Sequence, residues 1–309
     1  MENICVIDIG TNSMLCLCVE NKDGVFKESD QKLKTIGLGK YINDQGELSR
    51  ECVDVVSKTL VKWYKDIEKK KVDKIIAVGT HIFRKAVNRE QICSLIEKSS
   101  GIKIKIISEY EEACYSFLGT VWNRRFTGRV LVVDIGGGST EFVISENQEI
   151  IDLISINLGT VTSTLEFIKD DPPDRENIEE LHDYVQRELS RNLGRDFIMP
   201  DTLLCTGGTA TTLAGLKKGI KKYDGIKIDG LELNYEEIFK LEKKLASSNF
   251  THRRKFIQFD PDRAEVIIAG TVILSEIMKF TGKKRCIVSD RGLRFGIAVH
   301  ELSEQKFPC

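Results

Sequence analysis

Two stretches of this chain repeat one another. Val6-Ile7-Asp8-Ile9-Gly10-Thr11-Asn12-Ser13 aligns with Val132-Val133-Asp134-Ile135-Gly136-Gly137-Gly138-Ser139 at a constant offset of 126 residues. Asp, Ile, Gly and Ser fall at matching places, and each copy continues into an apolar, strand-like segment. The economical explanation is two domains of similar fold, each opening with the same strand–turn–strand device. The 309 residues accommodate two domains of roughly 100–200 residues. The expected division is 1–125 and 126–296, with the second domain starting near Arg124–Arg129, where Gly128 precedes a fresh strand.

Strands and helices alternate along the rest of the chain. Ile4–Asp8 and Met14–Glu20 read as paired strands. Val53, Val56, Leu60, Trp63 and Ile67 step by 3 and 4, predicting a helix from Ser49 to about Lys69. Lys74–Val78, Lys103–Ile107, Val130–Asp134, Glu141–Ser145, Leu203–Thr206 and Cys286–Ser289 read as strands. Gln91–Lys98, Arg175–Asn192 and Tyr235–Ala246 read as helices, and another starts near Gly292. Ser108 with Glu111, and Asn234 with Glu237, have capping-box spacing. The pattern predicts an α/β architecture.

The repeated turn has a chemical logic. Glycines let backbone N–H groups approach an anion, and Ser or Thr adds a hydroxyl donor. An Asp at the strand end beside a phosphate requires a divalent cation between the two charges. Asp8 and Asp134 therefore read as magnesium-side carboxylates, binding directly or through water. Gly10, Thr11, Asn12 and Ser13 form one candidate phosphate loop, and Gly136, Gly137, Gly138 and Ser139 the other. Gly207, Gly208 and Thr209 make a third strand–glycine–helix junction. Glu112, in the first turn of the helix that Ser108 caps, and Arg84, just beyond an apolar strand, are candidate catalytic residues. Arg84 would clamp phosphate. P-loop, dinucleotide-fold, nucleophile-elbow and zincin motifs are absent.

Composition narrows the class further. Lys plus Arg is 46 against 47 for Asp plus Glu, so the net charge of −1 argues against a generally basic nucleic-acid binder. The longest apolar run, Val266–Leu274, falls short of the roughly 18 residues a bilayer span needs. The Met1-Glu2-Asn3 start and Asp8 do not read as a secretory leader. A cytoplasmic protein is expected, with its nine cysteines as buried free thiols. His81, His182, His252 and His300 lack zinc spacing.

Together these segments resemble the exopolyphosphatase/guanosine pentaphosphate phosphohydrolase (Ppx/GppA) family of the actin-like ATPase superfamily. The resemblance runs from Ile4 to about Gly296. It rests on IDIGTNSMLCLCVE, AVGTHIFRKAVN, IISEYEEA, VVDIGGGSTEFVI, LGTVTSTLEF and CTGGTATTLAGL, then PDRAEVIIAGTVIL with VSDRGLRFG, in the family's order. It implies two ribonuclease-H-like domains with an active site in the cleft between them. It implies Glu112 as general base, Arg84 as the phosphate-contacting arginine, and Asp8, Asp134 and Glu141 as acidic positions on the side of Mg2+ or a similar hard cation such as Mn2+. A C-terminal helix (297–309) returning to the first domain, and a homodimer, also follow from the resemblance. Glu109 stands where many members have Gly, and Phe295 where an acidic residue is usual. The resemblance implies a short form, without the helical C-terminal region of longer members.

The implied substrate is inorganic polyphosphate, with guanosine pentaphosphate as the close alternative. Lys217/Lys218/Lys221/Lys222, Arg253/Arg254/Lys255 and Lys283/Lys284/Arg285 are candidate linings for a polyanion channel. Two rival readings are a kinase of the same superfamily and a non-catalytic alarmone-binding regulator. The EEA glutamate and the HIFR segment argue against the kinase, and an intact Glu112 against the regulator.

Overall fold

The computed structural model describes residues 2–194 and 196–303. The chain divides into two compact units, one of Met1–Gly119 with Leu293–Cys309, the other of Thr120–Gly292. Of the expected C-terminal segment, residues 304–309 lie outside the described residues.

Unit 1 begins with β1 (Glu2–Ile9), β2 (Ser13–Lys22) and β3 (Val25–Thr35), a meander. It continues through α1 (Arg50–Glu68), β4 (Lys74–Gly79), α2 (His81–Lys85), α3 (Arg89–Ser100), β5 (Ile104–Ile106) and α4 (Glu109–Val121). The sheet order is β3-β2-β1-β4-β5. β1 is antiparallel to β2 and parallel to β4, and β4 is parallel to β5. All five apolar positions that predict α1 are buried, packed with the inner face of β1 and β2 in one core. Ser108 and Glu111 form the predicted reciprocal cap: the Glu111 N–H donates to Ser108 Oγ at 3.1 Å, and the Ser108 N–H donates to Glu111 Oε2 at 2.8 Å.

Unit 2 repeats the plan with β6 (Arg129–Ile135), β7 (Thr140–Glu146) and β8 (Glu149–Ile156). α5 (Thr160–Phe167), α6 (Arg175–Leu193), β9 (Thr202–Thr206), α7 (Gly207–Lys218) and α8 (Gly225–Ile228) follow. The unit closes with β10 (Glu232–Asn234), α9 (Tyr235–Ala246), α10 (Phe250–Phe256), α11 (Ile267–Phe280) and β11 (Arg285–Val288). Its sheet order, β10-β11-β9-β6-β7-β8, matches unit 1 strand for strand, with β10 added at the edge. β6 is antiparallel to β7 and parallel to β9, and β9 is parallel to β11. This is the expected α/β, ribonuclease-H-like arrangement, occurring twice. The apolar run considered as a bilayer candidate lies in α11, which is buried from Ile267 to Met278. A helix apolar on every side belongs at the centre of a core, and α11 packs on α5, α6, α7 and α9. No helix among the described residues is long and apolar enough to cross a membrane.

α12 (Leu293–Leu302) packs on β1 and β2 of unit 1. Lys74 Nζ sits 2.6 Å from Glu301 Oε2, and Asn21 Nδ2 donates to the Leu302 carbonyl at 3.1 Å. Phe295 is buried, so the acidic residue usual there is replaced by core packing. Helix α12 passes so close to α4 that a Cβ on Gly296 would lie 1.8 Å from the Tyr115 carbonyl oxygen.

One expectation is corrected. Cys5 and Cys18 are not free thiols but are joined by a disulfide. They are opposite partners in the β1–β2 register, a relationship their spacing in the sequence does not reveal. Cys16, Cys52, Cys93, Cys114, Cys205 and Cys286 are free, and Cys309 lies outside the described residues. Burial pushes the Cys16 and Cys52 thiols up to about 12, so both stay protonated at neutral pH.

Candidate active site

In unit 1, parallel strands β1, β4 and β5 end level with one another: Ile9 pairs with Gly79, and Gly79 with Ile106. In open α/β sheets ligands bind outside the carboxyl ends of such strands. β1 leads into the Gly10–Ser13 turn, closed by the Gly10 N–H donating to the Ser13 carbonyl at 3.0 Å. Thr11, Asn12 and Ser13 are buried, and Asn12 Nδ2 donates to Ser13 Oγ at 3.3 Å. Asp8, one residue before the strand end, stands opposite Leu15 and Val78.

β4 leads through Thr80 into α2, and β5 leads into α4. This brings Arg84 of α2 against Glu112 in the first turn of α4. Arg84 Nη1 donates to Glu112 Oε2 at 2.5 Å and to the Ile107 carbonyl at 3.1 Å. Both side chains are largely buried, 16% and 14% exposed. Arg84 Nη2 is buried with no hydrogen-bond partner among the described residues, a donor suited to an anion that enters from outside the protein. Glu109 is half exposed, with Oε1 3.9 Å from Arg84 Nε. It therefore adds a distant second carboxylate to the same guanidinium. Burial pushes His81 down to about 4, with Lys85 and Arg84 adding to the effect, so this ring is neutral near pH 7.

Unit 2 reproduces the turn. The Gly136 N–H donates to the Ser139 carbonyl at 2.9 Å. The turn lies on the N-terminus of α5, where Thr160 N–H reaches the Gly136 carbonyl at 3.0 Å and Val161 N–H the Gly137 carbonyl at 2.8 Å. Asp134 and Glu141 are direct partners across β6 and β7. Glu141 is buried, and Ser155 Oγ donates to its Oε1 at 3.1 Å. Gly207, at φ 87°, packs onto the same place: a Cβ there would lie 2.7 Å from Asp134 Oδ1. Unit 2 thus gathers Asp134, Glu141 and Gly207. Thr209 is buried instead, against Gly270.

No local spacing singles out Arg263, although it lies in the PDRAEVIIAG stretch. Its guanidinium covers Gly208 at the start of α7: a Cβ on Gly208 would lie 2.3 Å from Arg263 Cζ. Arg263 is buried, and Asp260 Oδ2 holds its Nε at 3.3 Å. It supplies a cation at a helix N-terminus beside the Gly207–Asp134 contact, a favourable anion environment.

The residues suit a hard cation. Two opposed carboxylates carry oxygen ligands, and like charges directly opposite in a sheet repel unless neutralised.

Each basic cluster of unit 2 has at least one engaged residue. Lys217 pairs with Glu237 at 2.7 Å, buried Arg253 with Asp171 at 2.8 Å, and Arg285 with Glu232 at 3.2 Å.

Comparison with known proteins agrees with the fold. The profile of the Ppx/GppA phosphatase family matches residues 17–305. A bifunctional 3-dehydroquinate synthase/phosphatase of Fusobacterium nucleatum is 32% identical over 323 aligned positions, covering 97% of this chain; the chain spans only 46% of that longer protein. Exopolyphosphatase 1 of Mycobacterium tuberculosis is 24% identical, with 97% of this chain and 88% of that protein covered. The crystal structure of the Aquifex aeolicus Ppx/GppA family member is 32% identical, covers 97% of each chain and superposes with a TM-score of 0.82.

Proposed function

As this chain belongs to the Ppx/GppA phosphatase family, a family of phosphoric anhydride hydrolases, we propose that it is an exopolyphosphatase releasing terminal orthophosphate from inorganic polyphosphate. The observation that carries the reading is the Arg84–Glu112 pair at the carboxyl ends of β4 and β5. A carboxylate to take a proton and a guanidinium to bind phosphate oxygens are the parts that hydrolysis of a phosphoanhydride needs.

In the proposed reaction Glu112 accepts a proton from water as the water oxygen bonds to the terminal phosphorus. The bridging P–O bond breaks, and the electron pair leaves with the shortened chain. In unit 1, Arg84 and turn N–H groups of Gly10–Ser13 donate to phosphate oxygens as charge develops on them, and the Gly136–Ser139 turn of unit 2 offers donors of the same kind. Asp134 and Glu141, with Asp8 as the corresponding carboxylate of the first turn, would hold Mg2+ or Mn2+, which when bound neutralises phosphate charge. Arg263 holds phosphate oxygens near the start of α7.

The test is phosphate release, with magnesium, from medium-chain polyphosphate, guanosine pentaphosphate and ATP in parallel. Preferential release from polyphosphate supports the proposal. Preference for the nucleotide moves the activity to the pentaphosphate phosphohydrolase branch, and tight binding without release would make the protein a regulator.

A further inference from the structure

Lys58, Lys62 and Lys65 of α1, with Lys69 just beyond its end, follow one another at spacings of 4, 3 and 4 and so share one helix face. They line a groove of about 580 Å³ between α1 and Ser99 of α3. The four lysines make no ion pair among the described residues, unlike Lys217, Arg253 and Arg285 of unit 2. The groove also holds two carboxylates. Asp54 is one; Asp66 is the other, and its Oδ2 is already taken by Lys32 Nζ at 3.0 Å. Ser57 lines the groove at 7% exposure, and its Oγ is buried with no hydrogen-bond partner. A buried hydroxyl lacking a partner is uncommon in a folded protein and marks a place for a ligand oxygen.

We propose that this groove is a second, non-catalytic binding site for inorganic polyphosphate. The proposal rests on the exopolyphosphatase reading for its choice of polyanion. The lysine stripe runs over 12 residues, or about 16 Å of helix, which exceeds a single phosphate and suits an extended chain of them. No aromatic side chain lines the groove, so it lacks the stacking surface that single-stranded nucleic acids use. The lysines neutralise phosphates at intervals along the chain, and Ser57 donates its hydroxyl to one of their oxygens.

The test uses the full chain with Lys58, Lys62, Lys65 and Lys69 all changed to Gln, and as control the chain with Lys217, Lys218, Lys221 and Lys222 changed to Gln. Binding of fluorescent long-chain polyphosphate is measured by anisotropy, and phosphate release from tripolyphosphate is measured separately. The α1 variant is expected to bind the long chain at least about tenfold more weakly at low salt, with a shallower salt dependence and unchanged tripolyphosphate turnover. Unchanged long-chain affinity overturns the proposal, as does a loss confined to the control or displacement by single-stranded RNA at lower concentration than by polyphosphate. If the parent chain releases no phosphate but the α1 variant still loses long-chain binding, the exopolyphosphatase reading fails while the groove stands.

Discussion

Asp134 and Glu141 face each other as register partners across β6 and β7, whereas the same position of the first copy sets Asp8 against Leu15. The repeat has thus diverged in charge while keeping its backbone. The turns still close with matching N–H to carbonyl bonds of 3.0 and 2.9 Å. An opposed carboxylate pair costs stability unless a cation joins it. Glu141→Gln removes a candidate cation ligand and is therefore expected to abolish the rise in Tm that magnesium gives the parent chain. Thermal melts with magnesium and with a chelator check this.

A second ionic cluster ties the helices of unit 2. His182 Nδ1 lies 2.6 Å from Glu276 Oε1, and Nε2 lies 3.0 Å from Glu242 Oε1. Lys279 and Gln186 complete the shell around Glu276. Burial alone would lower the His182 pKa, but hydrogen bonds to Glu242 and Glu276 outweigh it and raise it from 6.5 to about 9. Its stabilising contribution is then fully present below pH 6.5 and is lost as the pH rises to about 9. Urea midpoints should fall over that window in the parent chain and stay flatter in His182→Gln. His182→Ala, which takes from buried Glu242 its contact with the imidazole, should cost roughly 3 kcal/mol.

Gly208 gives a test of Arg263. The methyl of Gly208→Ala would occupy the position of the guanidinium, which is the end of a flexible side chain and can swing away. The variant is expected to remain folded and to raise KM for polyphosphate about as much as Arg263→Ala does, with no further loss in the double variant. Gly159→Ala offers a contrast. Its methyl would lie 2.3 Å from the Gly137 carbonyl oxygen, a backbone atom fixed by hydrogen bonds from α5. It should destabilise unit 2 by about 2 kcal/mol or more, as read by urea denaturation.

Much of this was legible in the sequence, and the exceptions have physical reasons. α1 announces itself because one face is buried and the apolar spacing records it. The long strand β3 is mostly solvent-facing, so Lys27, Glu28, Asp30 and Lys32 mask it as loop, although a charged edge strand is a common guard against aggregation. The Ser108 cap pointed to the helix that carries Glu112, but its contact with Arg84 depends on how β4 and β5 align. The cover that Arg263 gives Gly208, like the Cys5–Cys18 bond, arises from three-dimensional adjacency that no local spacing encodes.

The central claim is that Glu112 takes the proton from the attacking water. The direct measurement is the rate of orthophosphate release from polyphosphate by the parent chain and by Glu112→Gln, with magnesium and polyphosphate both saturating. The account predicts a fall in kcat of about 10²–10⁴-fold with long-chain binding retained. A Glu112→Gln variant that turns over as fast as the parent would contradict it.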